Sequence, residues 1–200
     1  MDYKNARDAA WQILIKYKIS SLPISIEKIC KGEGIRLITY KKGAKVIQKL
    51  GMGDTIQEND AFSVGGIVFY DDTKPITRQR FSIAHELGHI LLHAVDGATV
   101  FNREPAPDDD PLEHEANVFA SRVLAPLCVL NGIGVSSAEE IAELCRISIA
   151  AATVRWERLC KIRARDRDMC SRTGRGTFLM SPLERRVFEN FSGYIEKKKH

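Results

Sequence analysis

The chain has 200 residues, 44% hydrophobic and 28% charged, so it is long enough for one sizeable core and is not of a disordered type. No apolar run reaches the eighteen or so residues of a membrane span, and the opening stretch MDYKNARDAAWQ lacks the apolar segment of a secretory signal. We therefore expect a cytoplasmic protein with no membrane partner.

The first part of the chain is predicted to alternate between short helices and strands. Residues 3–18 carry apolar side chains at helical spacing, and residues 25–34 predict a second, short helix that ends at a glycine. Residues 35–40 alternate and are β-branched, which predicts a strand, and residues 44–50 are a weaker strand candidate. The apolar run within residues 65–72, bounded by glycines and aspartates, is the strongest strand signal.

Helices dominate the rest of the chain. Periodicity or capping residues predict helices over 77–94 and 112–125, after Ser136 and Ser148, and from Ser181 to about Glu196. The pair of helices after Ser136 and Ser148 resembles a helix-turn-helix. The order of elements predicts an α+β fold in which a small, mainly antiparallel sheet is segregated from the helices.

Three parts are expected along the chain: a core domain over residues 1–130, a helix-turn-helix-like module over 131–164, and a basic connector with a C-terminal helix over 165–200. From Arg155 onward the chain has 13 Lys and Arg but only 6 Asp and Glu. This basic end could therefore bind nucleic acid. The second helix of the module is rich in Ile and Ala, however, where a DNA reader needs polar side chains. Partner docking or packing is therefore favoured over DNA binding.

The stretch RFSIAHELGHILLHAV, residues 80–95, carries the strongest chemical signal. His85 and His89 are four apart, so on a helix they lie about 40° apart around the axis and can bind one ion. Glu86 stands beside the first histidine, where its carboxylate can act as a base toward a water in the open position of a zinc ion. The spacing predicts a hydrolytic zinc site, in which Mn²⁺ could replace Zn²⁺.

A zinc site of this kind needs a third protein ligand. Asp96 is a candidate, but the stretch EHEANVFASRVLAP offers three more at the start of the next helix, namely Glu113, His114 and Glu115. Glu115 directly precedes the apolar stripe of that helix, and we expect it to be the ligand.

These two blocks together resemble the ImmA/IrrE family of metallo-endopeptidases, whose pattern is R-x-R-F-T-x-A-H-E-L-G-H followed by E-A-N-x-F-A and a proline. The likeness covers roughly residues 1 to 160, with Ser82 where Thr is usual. It implies a zinc metallopeptidase domain with zincin-like active-site helices, the ligands His85, His89 and Glu115, and Glu86 as the base. It also implies a protein substrate, a helix-turn-helix repressor whose cleavage switches on a mobile element or a stress response.

Two further residues are candidates for the catalytic site. His93 lies one turn beyond His89 and could orient a carboxylate or donate to the oxyanion, or it could be a satisfied histidine at the rim. Tyr70 ends a predicted strand and could stabilise the tetrahedral intermediate, although a tyrosine there can equally serve packing. If residues 65–70 form an edge strand, a peptide could pair with it, with Gly65 and Gly66 allowing close approach; a buried central strand is the alternative.

The function expected from these observations is zinc-dependent hydrolysis of peptide bonds in a specific protein. One alternative is a non-proteolytic regulator that binds DNA or a repressor through its C-terminal helices. Another is a toxin-like protease of an antitoxin pair. Glu86 argues against a purely structural zinc site, since a closed site has no use for an acid beside an open position.

Overall fold

The computed structural model describes residues 3–93, 110–173 and 180–199. The N-terminal elements are α1 (Lys4–Lys16), α2 (Ile26–Gly32), β1 (Arg36–Thr39), α3 (Tyr40–Lys49), α4 (Thr55–Glu58), β2 (Ala61–Val64) and β3 (Ile67–Tyr70). The remaining elements are α5 (Ile76–His93), α6 (Pro111–Leu124), α7 (Leu127–Ile133), α8 (Ala138–Cys145), α9 (Ile149–Thr173), α10 (Pro182–Asn190) and α11 (Ser192–Lys198). The fold is mainly helical α+β, as the order of elements predicts.

The sheet of the described residues has three strands in the order β1-β3-β2 and is mixed. Strand β3 pairs in parallel with β1 and antiparallel with β2, so the expectation of a mainly antiparallel sheet is wrong. The pair β1 and β3 is parallel because the chain passes through α3, α4 and β2 after β1. These elements bring the chain back to the end of the sheet where β1 begins, so β3 runs in the same direction as β1. Strand β3 is therefore the central strand of this sheet. Residues 65–70 thus do not form the edge strand that was one of the two alternatives.

The turn between β2 and β3 explains the two consecutive glycines. Gly65 and Gly66 both adopt a positive φ, 55° and 73°, which glycine accepts without strain and which a tight two-residue hairpin requires. These glycines thus close the hairpin between β2 and β3.

Residues 44–50 are helical, in contrast to the weak strand prediction. The Thr39 hydroxyl accepts a hydrogen bond from the Lys42 amide at 3.3 Å and caps α3. Gly43 and Ile47 are the buried residues of α3 and lie four apart, which is helical spacing. Ile47 packs with Phe62 and Phe69 on one face of the sheet, while α5 packs against β2 and β3.

The contacts divide the chain into two compact units. The first comprises residues 1–13 and 25–124, with the sheet, α5 and α6, and the second comprises residues 14–24 and 125–200. In the second unit α8 and α9 pack on one another, and the Arg155 side chain donates to the Ala125 carbonyl at 2.6 and 3.0 Å. Helix α9 continues to Thr173, so the first part of the expected connector over 165–200 is helical.

Two of the three expected helix caps form as the sequence predicts. Ser148 accepts from the Ala151 amide, and Ser181 forms a full capping box with Glu184. The cap of α8 is Ser137 and not Ser136, one residue later than predicted.

By length and mean hydropathy, the stretch Pro111–Ile133 could cross a membrane. However, 67% of its most apolar window is buried within the protein, which is the behaviour of a core helix.

Candidate metal centre

Helices α5 and α6 pack closely, and this contact builds the centre. A Cβ on Gly88 would lie 3.1 Å from both the Ala116 Cα and the Phe119 ring, so the missing side chain lets the two backbones approach. Helix α6 buries an apolar stripe that consists of Ala116, Phe119, Ala120, Val123 and Leu124. The stripe sets the rotation of α6 and therefore decides which of its polar residues face the histidines.

His85, His89 and Glu113 form the candidate donor group among the described residues, with their ligand atoms within 4.8 Å of one another. The two imidazole Nε2 atoms are 2.9 Å apart, and they lie 3.2 and 3.1 Å from the two Glu113 carboxylate oxygens. Ligands about 2.0–2.1 Å from a tetrahedral zinc ion are about 3.3 Å from one another. The separations and the two-nitrogen, one-oxygen donor set therefore fit zinc.

The structure places Glu113 at this centre, where the sequence predicts Glu115. Glu113 lies three residues before Ala116, about 60° from it around the helix, whereas Glu115 lies about 100° away on the other side. Glu115 instead accepts a hydrogen bond from His93, with its Oε2 atom 2.9 Å from the His93 Nε2 atom. The geometry thus favours Glu113 over Glu115 as the third ligand.

Each histidine of the donor group has a partner for its second ring nitrogen. The His85 Nδ1 atom is 3.0 Å from the Asn117 Oδ1 atom, and the His89 Nδ1 atom is 3.2 Å from the His93 Nδ1 atom. Such partners set the tautomer and orientation of metal-binding histidines. His93 thus lies between His89 and the Glu115 carboxylate.

Glu86 is 2% exposed and lies outside the donor group. The Ser63 hydroxyl of β2 donates to the Glu86 Oε2 atom at 2.8 Å, which holds the carboxylate in place. Glu86 also borders the cleft beside the donor group, together with His85 and Glu113. A carboxylate that lies next to the metal ligands but is not one of them has the placement of a general base.

The cleft has a volume of about 320 Å³ and is lined mainly by polar residues from the start of β2, α5 and α6. Asp60 lies at one wall and pairs with Arg78 and, at 3.4 Å, with Lys74. Burial alone would raise the pKa of Asp60, but hydrogen bonds and charge from Arg78 and Lys74 lower it below its ordinary value. This wall therefore carries an ionised carboxylate near neutral pH.

The structure does not bring Tyr70 to this cleft. Tyr70 lines a second cavity, of about 640 Å³, with Glu27 and Lys31 of α2 and with residues of β1. Burial, together with the charges of Asp72 and Glu27, raises the pKa of its phenol. The reason for the difference is strand order, since β2 and not β3 borders the metal cleft, which Ala61 lines.

Sequence reasoning missed Ser63 and Asn117. Asn117 carries a detectable signal, because it lies one turn after Glu113 inside the block EHEANVFA. Ser63 is a single polar residue in the short strand AFSV, and nothing local distinguishes it from a surface serine.

One comparison with known proteins identifies the domain. Residues 30–157 match the family described as the IrrE N-terminal-like domain, Peptidase_M78. No curated protein and no solved structure matches the chain at a significant level. The matched region contains β1, the whole donor group and the first third of α9. Because it covers more than half of the 200 residues, the chain belongs to the Peptidase_M78 family and carries its metallopeptidase domain with a candidate His-His-Glu metal site.

Proposed function

We propose that the protein is a zinc-dependent endopeptidase. The observation that carries the proposal is the arrangement of His85, His89 and Glu113 at the separations of a tetrahedral site, with the Glu86 carboxylate beside them and outside the group. A structural zinc site is closed by four protein ligands, whereas a catalytic site keeps one position open. Three donors and an adjacent base match the catalytic type.

Zinc bound at this site would polarise the scissile carbonyl and lower the pKa of water at the open position. Glu86 then accepts the proton of the attacking water and delivers it to the leaving amine. The Ser63 hydroxyl holds one carboxylate oxygen of Glu86, so the base keeps its orientation during both transfers.

An extended substrate is proposed to lie along β2. This strand is at one edge of the sheet, and Asn59, Asp60 and Ala61 at its beginning line the cleft. A peptide that adds to a sheet edge gains main-chain hydrogen bonds and presents its own backbone to the neighbouring site. The position of β2 beside Glu86 supports this path.

The substrate is proposed to be a helix-turn-helix repressor, whose cleavage would relieve repression. The support is the resemblance of the two sequence blocks to ImmA/IrrE peptidases, which cleave such proteins. The helical module with α8 and α9 is proposed to dock a protein partner. Its second helix exposes Ile149 at 52% and Val154 at 65%, and these side chains suit a protein surface better than base edges.

Glu86→Gln separates proteolysis from binding. The zinc-loaded parent and variant are incubated with a peptide library prepared from a whole proteome, and new termini are identified by mass spectrometry. Gln keeps the shape of Glu but cannot accept the proton, so we expect cleavage to fall about 10²–10⁴-fold with zinc content unchanged. Equal cleavage by parent and variant, or no cleavage by the zinc-loaded parent, contradicts the proposal.

The same variant tests the regulatory role in cells. If Glu86→Gln relieves repression of a reporter as well as the parent does, then binding and not cutting is the mechanism. Loss of relief together with loss of cleavage supports the repressor as the substrate.

A further inference from the structure

A chain of three side chains extends from the donor group into α6. His89 is fully buried, with its Nε2 atom facing His85 and Glu113. Its Nδ1 atom lies 3.2 Å from the His93 Nδ1 atom, and the His93 Nε2 atom lies 2.9 Å from the Glu115 Oε2 atom. We propose that Glu115 and His93 act together as positioning residues that hold His89 in the tautomer that binds metal. This inference rests on the proposed zinc site and assigns Glu115 a role other than that of ligand.

The direction of the hydrogen bonds follows from the carboxylate at the end of the chain. An ionised carboxylate can only accept, so His93 carries its proton on Nε2 and donates it to Glu115. The Nδ1 atom of neutral His93 then has a lone pair and accepts a hydrogen bond from the His89 Nδ1 atom. His89 consequently has its lone pair on Nε2, the atom that faces the other donors. If both hydrogen bonds ran in the opposite direction, His89 would carry its proton on Nε2 and could not bind the ion through that atom.

The other histidine of the donor group has a different support. Asn117 accepts directly from the His85 Nδ1 atom at 3.0 Å, so this partner is a neutral amide in direct contact with the imidazole. His89 depends on two successive hydrogen bonds that end at a charged group. Such outer partners fix the tautomer and the ring orientation of a metal-binding imidazole. The spacing of His85, His89 and His93 by one helical turn supplies both the ligands and the link.

The test measures zinc affinity by competition with a chromophoric chelator. The variants are Glu115→Ala, Glu115→Gln, Glu113→Ala as the reference for loss of a ligand and, as a matched control on the same turn of α6, His114→Ala. We expect Glu115→Ala to weaken zinc binding about 10–100-fold, the usual cost of losing such a partner. Glu115→Gln keeps an accepting oxygen and should restore part of the affinity, whereas His114→Ala should match the parent. The Glu115 side chain is 28% exposed, so these variants are expected to fold, which circular dichroism checks.

The measured zinc affinities distinguish the possible roles of Glu115. Affinity of Glu115→Ala equal to that of the parent overturns the inference, because His89 then needs no support from this chain. A loss as severe as that of Glu113→Ala also overturns it, because Glu115 would then be a ligand. Failure of the parent itself to bind zinc would instead refute the proposed function.

A second readout is independent of affinity. Nitrogen-15 NMR of the zinc-loaded protein reports which ring nitrogens carry protons. The inference predicts a protonated Nε2 and an unprotonated Nδ1 on His93. The opposite tautomer would overturn it.

Discussion

At the scale of single residues, one hydroxyl determines how the base is held. Ser63 is 5% exposed and donates to Glu86, and a hydrogen bond to a charged group contributes about 1.5–3 kcal/mol. We expect Ser63→Ala to lower kcat about tenfold or more and to leave the zinc content unchanged. Ser63→Thr keeps a hydroxyl and should restore much of the rate. A Ser63→Ala enzyme with parental kcat would show that Glu86 needs no such support.

The residues of the HExxH motif could be predicted from the sequence because their relation is local. The four-residue spacing of His85 and His89 specifies one helical face whatever else the chain does. The choice between Glu113 and Glu115 could not be made in that way. It depends on the rotation of α6, which is set by the contact of Ala116 and Phe119 with Gly88 of another helix.

At the scale of elements, the short distance between α5 and α6 brings Glu113 close to His85 and His89. In Gly88→Ala the new Cβ would meet the Ala116 backbone at 3.1 Å, and a backbone cannot rotate away. We expect the folded state to lose up to about 2 kcal/mol, because overpacking costs about 1–3 kcal/mol and Ala favours a helix over Gly by roughly 1 kcal/mol. Zinc affinity should fall as well, since separation of the helices moves Glu113 away from the histidines.

Gly132→Ala is the control for that prediction. Its Cβ would meet the Phe188 ring at 2.5 Å in the second unit, which does not contain the donor group. This variant should lose stability in urea unfolding yet bind zinc like the parent. Parental zinc affinity in Gly88→Ala would show that the helix contact does not set the donor geometry.

Two of the three strands of the sheet could be predicted from the sequence, and the third could not. Strands β1 and β3 are recognisable by their β-branched residues, but the four residues of β2 are too few for a periodic signal. The pair Gly65 and Gly66 was the available sign of a hairpin, since both adopt a positive φ in a two-residue turn. The short helix α3 was missed because Ile47 and Gly43 are its only buried residues.

At the scale of the whole molecule, zinc should stabilise the folded state. A ligand that binds only the native protein contributes about 4 kcal/mol at a thousand times its Kd. We expect added zinc to raise the Tm by several degrees and a chelator to reverse the rise, as measured by scanning calorimetry. Glu113→Ala should lose this response, whereas His114→Ala should keep it. An equal rise in Glu113→Ala would mean that zinc binds elsewhere.

The grouping of the chain into compact units is a property of the whole molecule. The expected boundaries at residues 130 and 164 rest on changes in composition and stay predictions. By its contacts, the second unit combines residues 14–24 with residues 125–200. This arrangement depends on contacts between segments more than a hundred residues apart. No local pattern records such contacts, although the caps at Ser148 and Ser181 could be predicted because they are local.

The most direct test of the zinc site is a crystal structure of the zinc-loaded protein, with anomalous scattering measured at the zinc absorption edge. We expect one zinc ion about 2.0–2.2 Å from the Nε2 atoms of His85 and His89 and from a carboxylate oxygen of Glu113. Glu86 should lie outside the coordination shell, and Glu115 should remain on His93. A zinc ion bound by Glu115 in place of Glu113, or no anomalous peak between α5 and α6, would contradict the proposed zinc site.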